Sequence, residues 1–210
     1  MSYNIDFDKP SDWFETLYAN SSTKGEGVPW ADLKEHEDLH TFFELNPMDT
    51  AGKKALVVGC GMGDDALYLE KLGFDVTAID ISSSAITFCK ERFHNSNIDF
   101  HVADLFDKLR HLEAQFDFVV EIYTIQALPP THQKEIATNI TKLLAPNGKL
   151  LLISYMQESI GQLNEGPPWP LHKAFFSLFK ECGLTLMQKH KKVKEWGKAS
   201  HHIVHLYKKK

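Results

Sequence analysis

A glycine-rich turn between two apolar runs constrains the fold of this chain more than any other feature. Residues 56–80 read LVVGCGMGDDALYLEKLGFDVTAID, in which an apolar run leads into Gly59, Gly61 and Gly63, and a second apolar run ends at Asp80. This order predicts a strand, a tight turn, a helix and a second strand with a carboxylate at its end. In open α/β sheets, such an arrangement binds a cofactor that contains adenosine.

Strand-like and helix-like segments alternate along the rest of the chain. Strands are predicted at residues 55–60, 75–80, 98–103, 116–123 and 149–155. A helix over residues 171–182 and a hairpin that turns at Gly197 are predicted to follow. Alternation of this kind indicates a parallel sheet with helices on both faces. The predicted fold class is therefore α/β, with a Rossmann-like, doubly wound and mostly parallel sheet.

The length of 210 residues suits one α/β domain. Residues 51–210 are predicted to form that domain, and the aromatic, irregular residues 1–50 are predicted to be a helical cover segment of it. Helices are expected near residues 10–20 and 33–45. No run approaches the roughly 18 apolar residues of a membrane span, and the acidic N-terminus lacks the pattern of a secretory signal.

Cysteine and histidine usage gives no sign of a metal site. The three cysteines are widely scattered, without a disulfide framework or the spacing of a zinc site. A reducing cytoplasm is the simplest location that this usage predicts. His201, His202 and His205 are interpreted as neutral histidines of the final hairpin, because only the first and last share a strand face.

Charge gives little reason to expect a nucleic-acid partner. The formal net charge is −5, which offers no general attraction for a phosphate backbone. The end of the chain is an exception, since a cluster of lysines there faces a single acid, Glu195. The cluster comprises Lys189, Lys191, Lys192, Lys194, Lys198, Lys208, Lys209 and Lys210. A solvated hairpin is favoured over an RNA-binding patch, and we expect a monomer or homodimer without a membrane partner.

The spacing of the turn differs from the dinucleotide fingerprint G-x-G-x-x-G. The third glycine of that fingerprint would fall at Asp64, which is followed by Asp65. Two carboxylates at a helix N-terminus disfavour a pyrophosphate and suit a cationic ligand without phosphate, such as S-adenosylmethionine. The alternative is that both acids only stabilise the start of the helix.

Three acids lie where a bound cofactor would meet the ends of predicted strands. Asp80, seventeen positions after Gly63, can accept hydrogen bonds from both hydroxyls of a ribose. Asp104 can accept a hydrogen bond from an adenine amino group while Leu105 packs on the ring, although Asp104 could instead cap a helix. Glu121 interrupts the apolar run FVVEIY, where a carboxylate without a partner is costly, so it is a site candidate.

These residues resemble those of the class I S-adenosylmethionine-dependent methyltransferases from about residue 50 onwards. Within that class the chain is most similar to small bacterial thiopurine-methyltransferase-like members. The strings that carry the resemblance are VVGCGMGDDALYLEKLGFDVTAIDIS, YTIQALPP and GPPWP, together with residues 13–18 and Pro29-Trp30. The resemblance implies a seven-stranded sheet with an antiparallel final strand. It also implies S-adenosylmethionine as cofactor and S-adenosylhomocysteine as product.

The resemblance further implies roles for individual residues. It predicts that the cofactor is bound by Gly59, Cys60, Gly61, Gly63, Asp80, Ile81, Asp104, Leu105 and Glu121. An N-terminal cover over the cofactor is predicted to include Trp13 and Trp30. The substrate pocket is predicted to include Tyr18, Tyr123 and Trp169.

The predicted function is in-line methyl transfer to a small-molecule acceptor: a thiol, a chalcogen or another small flat or apolar nucleophile. The sulfonium supplies most of the driving force, so no catalytic residue is assigned. Glu121, Tyr123 and His132 are the side chains that could act as bases. The alternatives are an NAD(P)-dependent oxidoreductase on a similar fold, a non-catalytic module that binds the cofactor, and an RNA methyltransferase that uses the terminal lysines.

Overall fold

The computed structural model describes residues 9–158, 166–196 and 199–210. The chain divides into two compact units, Met1–Asp104 and Leu105–Lys210. The predicted hairpin turn at Gly197, with Lys198, lies outside the described residues, and so do residues 1–8 and 159–165.

The first unit has four helices and three strands among its described residues. The helices are α1 (Asp12–Ala19), α2 (Glu37–Leu45), α3 (Asp64–Lys71) and α4 (Ser83–Arg92). The strands are β1 (Lys54–Val58), β2 (Asp75–Asp80) and β3 (Asp99–Val102). All three strands are parallel, in the order β3-β2-β1, so the alternation predicted for this part of the chain is confirmed.

Local sequence explains where the elements of the first unit begin and end. β1 stops where Gly59 turns the chain at φ +60. α3 opens with Asp64 and Asp65, whose negative charge suits the positive end of the helix dipole. α4 follows Ser82, whose side-chain oxygen accepts the N–H of Ala85 at 3.1 Å as an N-cap.

The second unit has five strands among its described residues. They are β4 (Phe116–Ile122), β5 (Leu144–Gln157), β6 (Leu171–His172), β7 (Leu184–Trp196) and β8 (Ala199–Lys209). The order is β4-β5-β8-β7, and β6 pairs with β5. β4 and β5 are parallel, whereas β8 is antiparallel to both of its neighbours. The antiparallel final strand is thus confirmed, and the short β6 brings the strands to eight where seven were predicted.

The second unit has two α-helices and two 3-10 helices among its described residues. They are α5 (Pro130–Leu143), α6 (Ser177–Glu181) and the 3-10 helices Ile125–Ala127 and Lys173–Phe176. α5 begins at a proline, which fits the first helical position because its missing N–H has no partner there. Across the described residues, every helix is too short or too polar to cross a membrane.

The predicted helix over residues 171–182 is wrong over its first half. That half forms β6 and the 3-10 helix Lys173–Phe176, and only α6 in the second half is α-helical. The aromatic rings of this segment pack on β8, since Phe176 lies 5.1 Å from His205 and Phe179 lies 4.7 Å from Tyr207, centroid to centroid. This packing fixes the segment on the strand, and the apolar spacing along the sequence gave no sign of it.

The predicted fifth strand begins earlier than expected. β5 starts at Leu144 and passes through the Pro146-Asn147-Gly148 turn, where Asn147 has a φ of +64°. The pairing with β4 shifts register at this point, between Phe116 and Phe118. The turn residues therefore produce an irregularity within one strand and do not mark its beginning.

Lys209, a member of the lysine cluster, has a structural role. Its ammonium donates to the carbonyl oxygens of Thr141 at 3.2 Å and Leu144 at 2.8 Å, at the end of α5. Carbonyl groups at a helix C-terminus lack partners within the helix and carry its negative dipole end. Lys209 therefore stabilises the C-terminal end of α5.

Candidate functional site

The glycine turn after β1 has a backbone that requires glycine. Gly59, Gly61 and Gly63 have φ values of +60°, +53° and +84°, in the left-handed region that side chains disfavour. A Cβ atom on Gly61 would lie 2.8 Å from the hydroxyl of Tyr18. One on Gly63 would lie 2.8 Å from the Sγ of Cys89. Gly61 thus gives room to the N-terminal segment, whereas Gly63 allows α4 to pack closely.

Asp80, at the end of β2, holds the turn from the neighbouring strand. Its Oδ2 accepts the backbone N–H of Gly61 at 2.9 Å, and its Oδ1 accepts the backbone N–H of Ser82 at 2.9 Å. Burial raises the pKa of this carboxyl, and backbone hydrogen bonds from Ser82, Gly61 and Ile81 act in the opposite direction. A carboxylate has about four lone-pair sites, so each oxygen of Asp80 keeps acceptor capacity for a ligand.

The predicted N-terminal cover lies on the glycine turn. The indole N–H of Trp30 donates to the hydroxyl of Tyr18 at 2.8 Å, and the ring of Trp13 meets that of Trp30 edge to face at 5.8 Å. Tyr18 is 1% exposed and packs in a buried cluster with Val28 and with Met62 of the turn, whereas Trp30 is 41% exposed. The cover therefore has a buried inner side and an indole at the surface.

Glu15 is a residue that the sequence did not point to. Its Oε2 accepts the hydroxyl of Ser82 at 2.6 Å and the backbone N–H of Ser84 at 3.2 Å, and its Oε1 accepts the hydroxyl of Ser84 at 2.7 Å. Burial acts to raise its pKa, but the serine hydrogen bonds outweigh burial and the pKa is lowered. Glu15 therefore links α1 by hydrogen bonds to the start of α4, where Ser82 also contacts Asp80.

The carboxylates of Asp64 and Asp65 do not act as the two free negative charges that the sequence suggested. Asp64 forms a bidentate ion pair with Arg92, whose two guanidinium nitrogens lie 2.8 and 2.7 Å from the carboxylate oxygens. The charge of Asp64 is therefore compensated within the unit. Asp65 accepts the backbone N–H of His36 at 2.7 Å, and burial raises its pKa to about 6. Both acids therefore have partners within the unit and do not present two unpaired charges to a ligand.

Cys60 and its neighbours complete the turn without a reactive thiol. Cys60 is 8% exposed, and a hydrogen bond with Cys89 followed by burial raises the pKa of its thiol. The thiol of Cys89 in turn lies 3.2 Å from the carbonyl oxygen of Gly61. Ile81 and Asp104 are half-buried at the ends of β2 and β3, where they were predicted.

Glu121, near the end of β4 in the second unit, is a fully buried acid. Its Oε1 accepts the backbone N–H of Ile125 at 2.8 Å, and its Oε2 has no hydrogen-bond partner among the described residues. Burial raises its pKa to about 8, against an ordinary value of 4.5. The carboxyl of Glu121 is therefore mainly neutral at pH 7, and its Oε2 is a buried oxygen without a hydrogen-bond partner in an apolar strand.

Tyr123 directly follows β4 in a strained conformation. Its φ is +62°, a value that is rare for an aromatic residue and recurs at functional sites. Its hydroxyl lies 2.8 Å from Nε2 of His202, and its ring stacks on that of Tyr155 at 5.4 Å. His202, predicted to be an ordinary hairpin histidine, is thus buried and paired with the partly buried Tyr123.

The remaining predicted residues of the second unit have a more structural setting. Trp169 is 2% exposed, and its backbone carbonyl accepts a hydrogen bond from Gln133 at 3.0 Å. The backbone carbonyl of Leu105, a half-buried residue, accepts a hydrogen bond from Asn139 at 2.9 Å. His132 meets Phe106 edge to face at 5.4 Å. The assignment of Leu105 to the cofactor and of Trp169 to the substrate pocket stays a prediction, and so does a role of His132 as a base.

The sequence of this chain is similar to those of known methyltransferases. The family model described as "Methyltransferase domain" matches residues 55–148. The probable S-adenosyl-L-methionine-dependent methyltransferase TehB of Haemophilus influenzae is 26% identical over 149 residues, which are 70% of this chain and 46% of the relative. Thiopurine S-methyltransferase of Vibrio cholerae is 28% identical over 146 residues, 62% of this chain and 65% of the relative.

A solved structure agrees in fold over almost the whole chain. The N-methyltransferase NodS of Bradyrhizobium japonicum, in complex with S-adenosyl-L-homocysteine, superimposes on this chain with a TM-score of 0.73. It is 19% identical, and the match covers 95% of this chain and 97% of that one. Together these sequence and structural similarities support a class I S-adenosylmethionine-dependent methyltransferase. The predicted family, its Rossmann-like fold class and its cofactor are thereby confirmed.

The similarity to methyltransferases argues against the NAD(P)-dependent oxidoreductase, whose phosphate-binding fingerprint the turn also lacks. The chain spans less than two thirds of the length of the Haemophilus and Vibrio relatives.

Proposed function

We propose that this chain transfers a methyl group from S-adenosylmethionine to a small-molecule acceptor with a thiol, a chalcogen or another small flat or apolar nucleophile. The observation that carries the proposal is the joined glycine turn and Asp80 carboxylate beneath an aromatic cover, within the matched methyltransferase domain. The Vibrio relative is named for methylation at sulfur, which supports a soft acceptor of this kind.

The residues of the first unit fit the cofactor. The turn at Gly59, Cys60 and Gly61 lies against the cover, and a side chain on Gly61 would collide with the hydroxyl of Tyr18. Asp80 keeps acceptor capacity on each oxygen for the two ribose hydroxyls. Ile81 is proposed to contact the same sugar.

The adenine end of the cofactor is assigned to the residues that follow β3. Asp104 is proposed to accept a hydrogen bond from the adenine amino group, and Leu105 to pack on the ring. Both side chains are half-buried, which leaves part of each open to a ligand. The neutral Glu121 is proposed to contribute a hydrogen bond to the cofactor through its unpaired Oε2.

Tyr18 is better suited to the cofactor than to the acceptor pocket. Its hydroxyl accepts the indole N–H of Trp30 and lies over Gly61. Burial, followed by the charge of Asp80, raises its pKa well above the ordinary value, so it keeps its proton. We therefore assign to Tyr18 a hydrogen bond donated to the bound cofactor, with Trp13 and Trp30 excluding water above it.

The acceptor is assigned to the residues at the end of β4. The sulfonium of the bound cofactor supplies the electrophilic methyl group, so the chain has to orient the acceptor and remove its proton. The Tyr123 hydroxyl and Nε2 of His202 form a relay at 2.8 Å. When a thiol acceptor took the methyl group and the methyl–sulfonium bond broke to release S-adenosylhomocysteine, the oxygen of Tyr123 would accept the thiol proton and Tyr123 would pass its own proton to His202.

A screen with cofactor labelled in its methyl group tests the proposed activity. Small thiols, selenium and tellurium oxyanions, and small amines would be offered to the purified chain, and an RNA pool would be offered separately. We expect label in at least one small thiol or chalcogen compound and none in RNA. Binding of S-adenosylhomocysteine without label transfer to any acceptor would favour the non-catalytic module, and label in RNA would favour the RNA methyltransferase.

The predicted location and assembly state are also proposals. Cys60 and Cys89 are buried and unpaired, and Cys182 is also free, as expected for a reducing cytoplasm. A monomer or homodimer is proposed.

A further inference from the structure

The second unit has a concave pocket that the proposed function does not use. Its volume is about 480 Å³, within the range of sites that hold small organic ligands. It is lined by β7, β8 and the short helices Lys173–Phe176 and α6. The lining residues with charged or polar ends include Lys173, Lys180, Lys189, Lys191, His205 and Tyr207.

Strand register explains why these lysines gather. β7 shifts register between Leu186 and Gln188, and beyond the shift Lys189 lies opposite His205. Lys191 is two residues further along, so it shares the face of Lys189. The same face of β8 carries the ring of Phe176, which brings the 3-10 helix and its Lys173 over the sheet.

Positive charge is in excess around the pocket. Glu158 forms ion pairs with Lys173 at 2.8 Å and Lys191 at 3.8 Å. These contacts, the hydrogen bond from Lys173 first, lower the pKa of Glu158, despite the smaller opposing effect of burial. Lys180, Lys189 and Lys210, which also lines the pocket, have no ion pair within the part of the chain that the structure describes. The pocket therefore already holds one carboxylate and leaves three ammonium groups for another anion, of which Lys189 lies opposite His205.

A buried hydrogen-bonding atom lies in the same wall. His205 is 3% exposed, its Nδ1 lies 3.1 Å from the hydroxyl of Tyr207, and its Nε2 has no partner among the described residues. Burial raises the pKa of Tyr207, so the phenol keeps its proton and can donate it to Nδ1. The ring proton of His205 is then on Nε2, which becomes a donor without an acceptor.

His205 is also neutral under ordinary conditions. Burial, followed by the charge of Lys189, lowers its pKa to about 4. An uncharged donor beside exposed ammonium groups suits an anion with an apolar body. The apolar part of the wall is supplied by Met156, Phe176 and Leu184.

We propose that this pocket binds a small organic anion, with its phosphate or carboxylate group at Lys180 and Lys189 and its apolar body against Phe176. The concave shape and limited volume favour a small molecule over an RNA strand, which needs an extended basic surface. All the lining residues belong to the second unit, and none of them is assigned above to the cofactor or the acceptor.

Calorimetric titration of the full chain with phenyl phosphate tests this proposal. We expect saturable binding to the wild type that weakens as salt rises, and binding at least about tenfold weaker in K180A/K189A, since hydrogen bonds to charged groups are strong. The matched control is K90A/K134A, which removes two exposed lysines on α4 and α5. Phenol serves as the uncharged counterpart of the probe and should not bind.

A second measurement follows His205 directly. In nitrogen NMR spectra the Nε2 resonance of His205 should shift on addition of phenyl phosphate to the wild type and to K90A/K134A, and should stay in place in K180A/K189A. The proposal is overturned if both double variants bind equally well, if the wild type does not bind the probe, or if only an RNA oligonucleotide binds.

Discussion

Gly61 donates its backbone N–H to Oδ2 of Asp80 at 2.9 Å, and this bond joins the turn after β1 to the end of β2. The carboxylate thus has a structural role and keeps lone pairs for a ligand. The same glycine leaves room for the hydroxyl of Tyr18. One turn therefore positions the proposed sugar-binding acid and the cover residue.

Replacing Gly61 by alanine should separate steric crowding from backbone strain. Gly61 and Gly52 both have positive φ, but a Cβ atom on Gly52 meets nothing within 4 Å. We expect G52A to lose roughly 1 kcal/mol of unfolding free energy and G61A to lose about 1–3 kcal/mol more, because Tyr18 must move. Chemical denaturation measures the loss, and indole fluorescence reports on Trp30. Equal losses in the two variants would contradict the described contact.

Replacing Glu15 by alanine should loosen the cover. Three donors from Ser82 and Ser84 lose their acceptor, so we expect a loss of about 1–3 kcal/mol and faster proteolysis near α1. The folded pKa of Glu15 is lowered, so its contribution is present above the ordinary pKa and disappears as pH falls through the folded value. E37A, at an exposed acid that begins α2, is the matched control. An E15A variant as stable as E37A at pH 7 would count against this role.

Glu121 should make the fold less stable as pH rises. Its folded pKa of about 8 exceeds the ordinary value of 4.5, so the native state binds more protons than the unfolded state between these values. Between pH 6 and 8 this should lower the free energy of unfolding by about 2 kcal/mol, and E121Q should remove that decrease. This pH range lies above the pKa of Asp65, which is about 6. Ionisation of Asp65 also destabilises the fold, but at lower pH. Parallel stability curves for wild type and E121Q would show that Glu121 ionises freely.

Replacing Tyr123 by phenylalanine should slow transfer to a thiol at neutral pH. The relay to His202 is lost, and we expect a rate about 10 to 100 times lower at pH 6.5. The deficit should shrink near pH 9, where a thiol of pKa about 8.5 is already ionised. Y155F, at the ring stacked on Tyr123, is the control and should lose little. A deficit in Y123F that is the same at every pH would contradict a role in proton transfer.

The sequence predicted the parallel strands well because their apolar runs are continuous and their turns are marked by glycine and proline. It also pointed to Asp80, whose place at the end of β2 follows from strand length alone. It could not show the contacts of Glu15 with Ser82 or of Arg92 with Asp64, which join residues 67 and 28 positions apart. Such pairs depend on how the elements pack, and nothing in local spacing reports them.

The helix predicted over residues 171–182 was partly wrong for a related reason. Its apolar spacing fits a helix, but ring packing of Phe176 and Phe179 on β8 decides its conformation. The pairing of Tyr123 with His202 was missed because a hairpin histidine far along the chain gives no sign of which strand it faces.

The most direct test of the account is calorimetric titration of S-adenosylhomocysteine into the wild type, D80N and D75N, the last being an exposed acid at the start of β2. Asparagine keeps the shape of Asp80 but cannot accept from two backbone N–H groups and two ribose hydroxyls as a carboxylate does. We predict binding to the wild type and D75N, binding at least about tenfold weaker in D80N, and no binding of NAD. Equal affinity of D80N and the wild type, or binding of NAD without S-adenosylhomocysteine, would contradict the account.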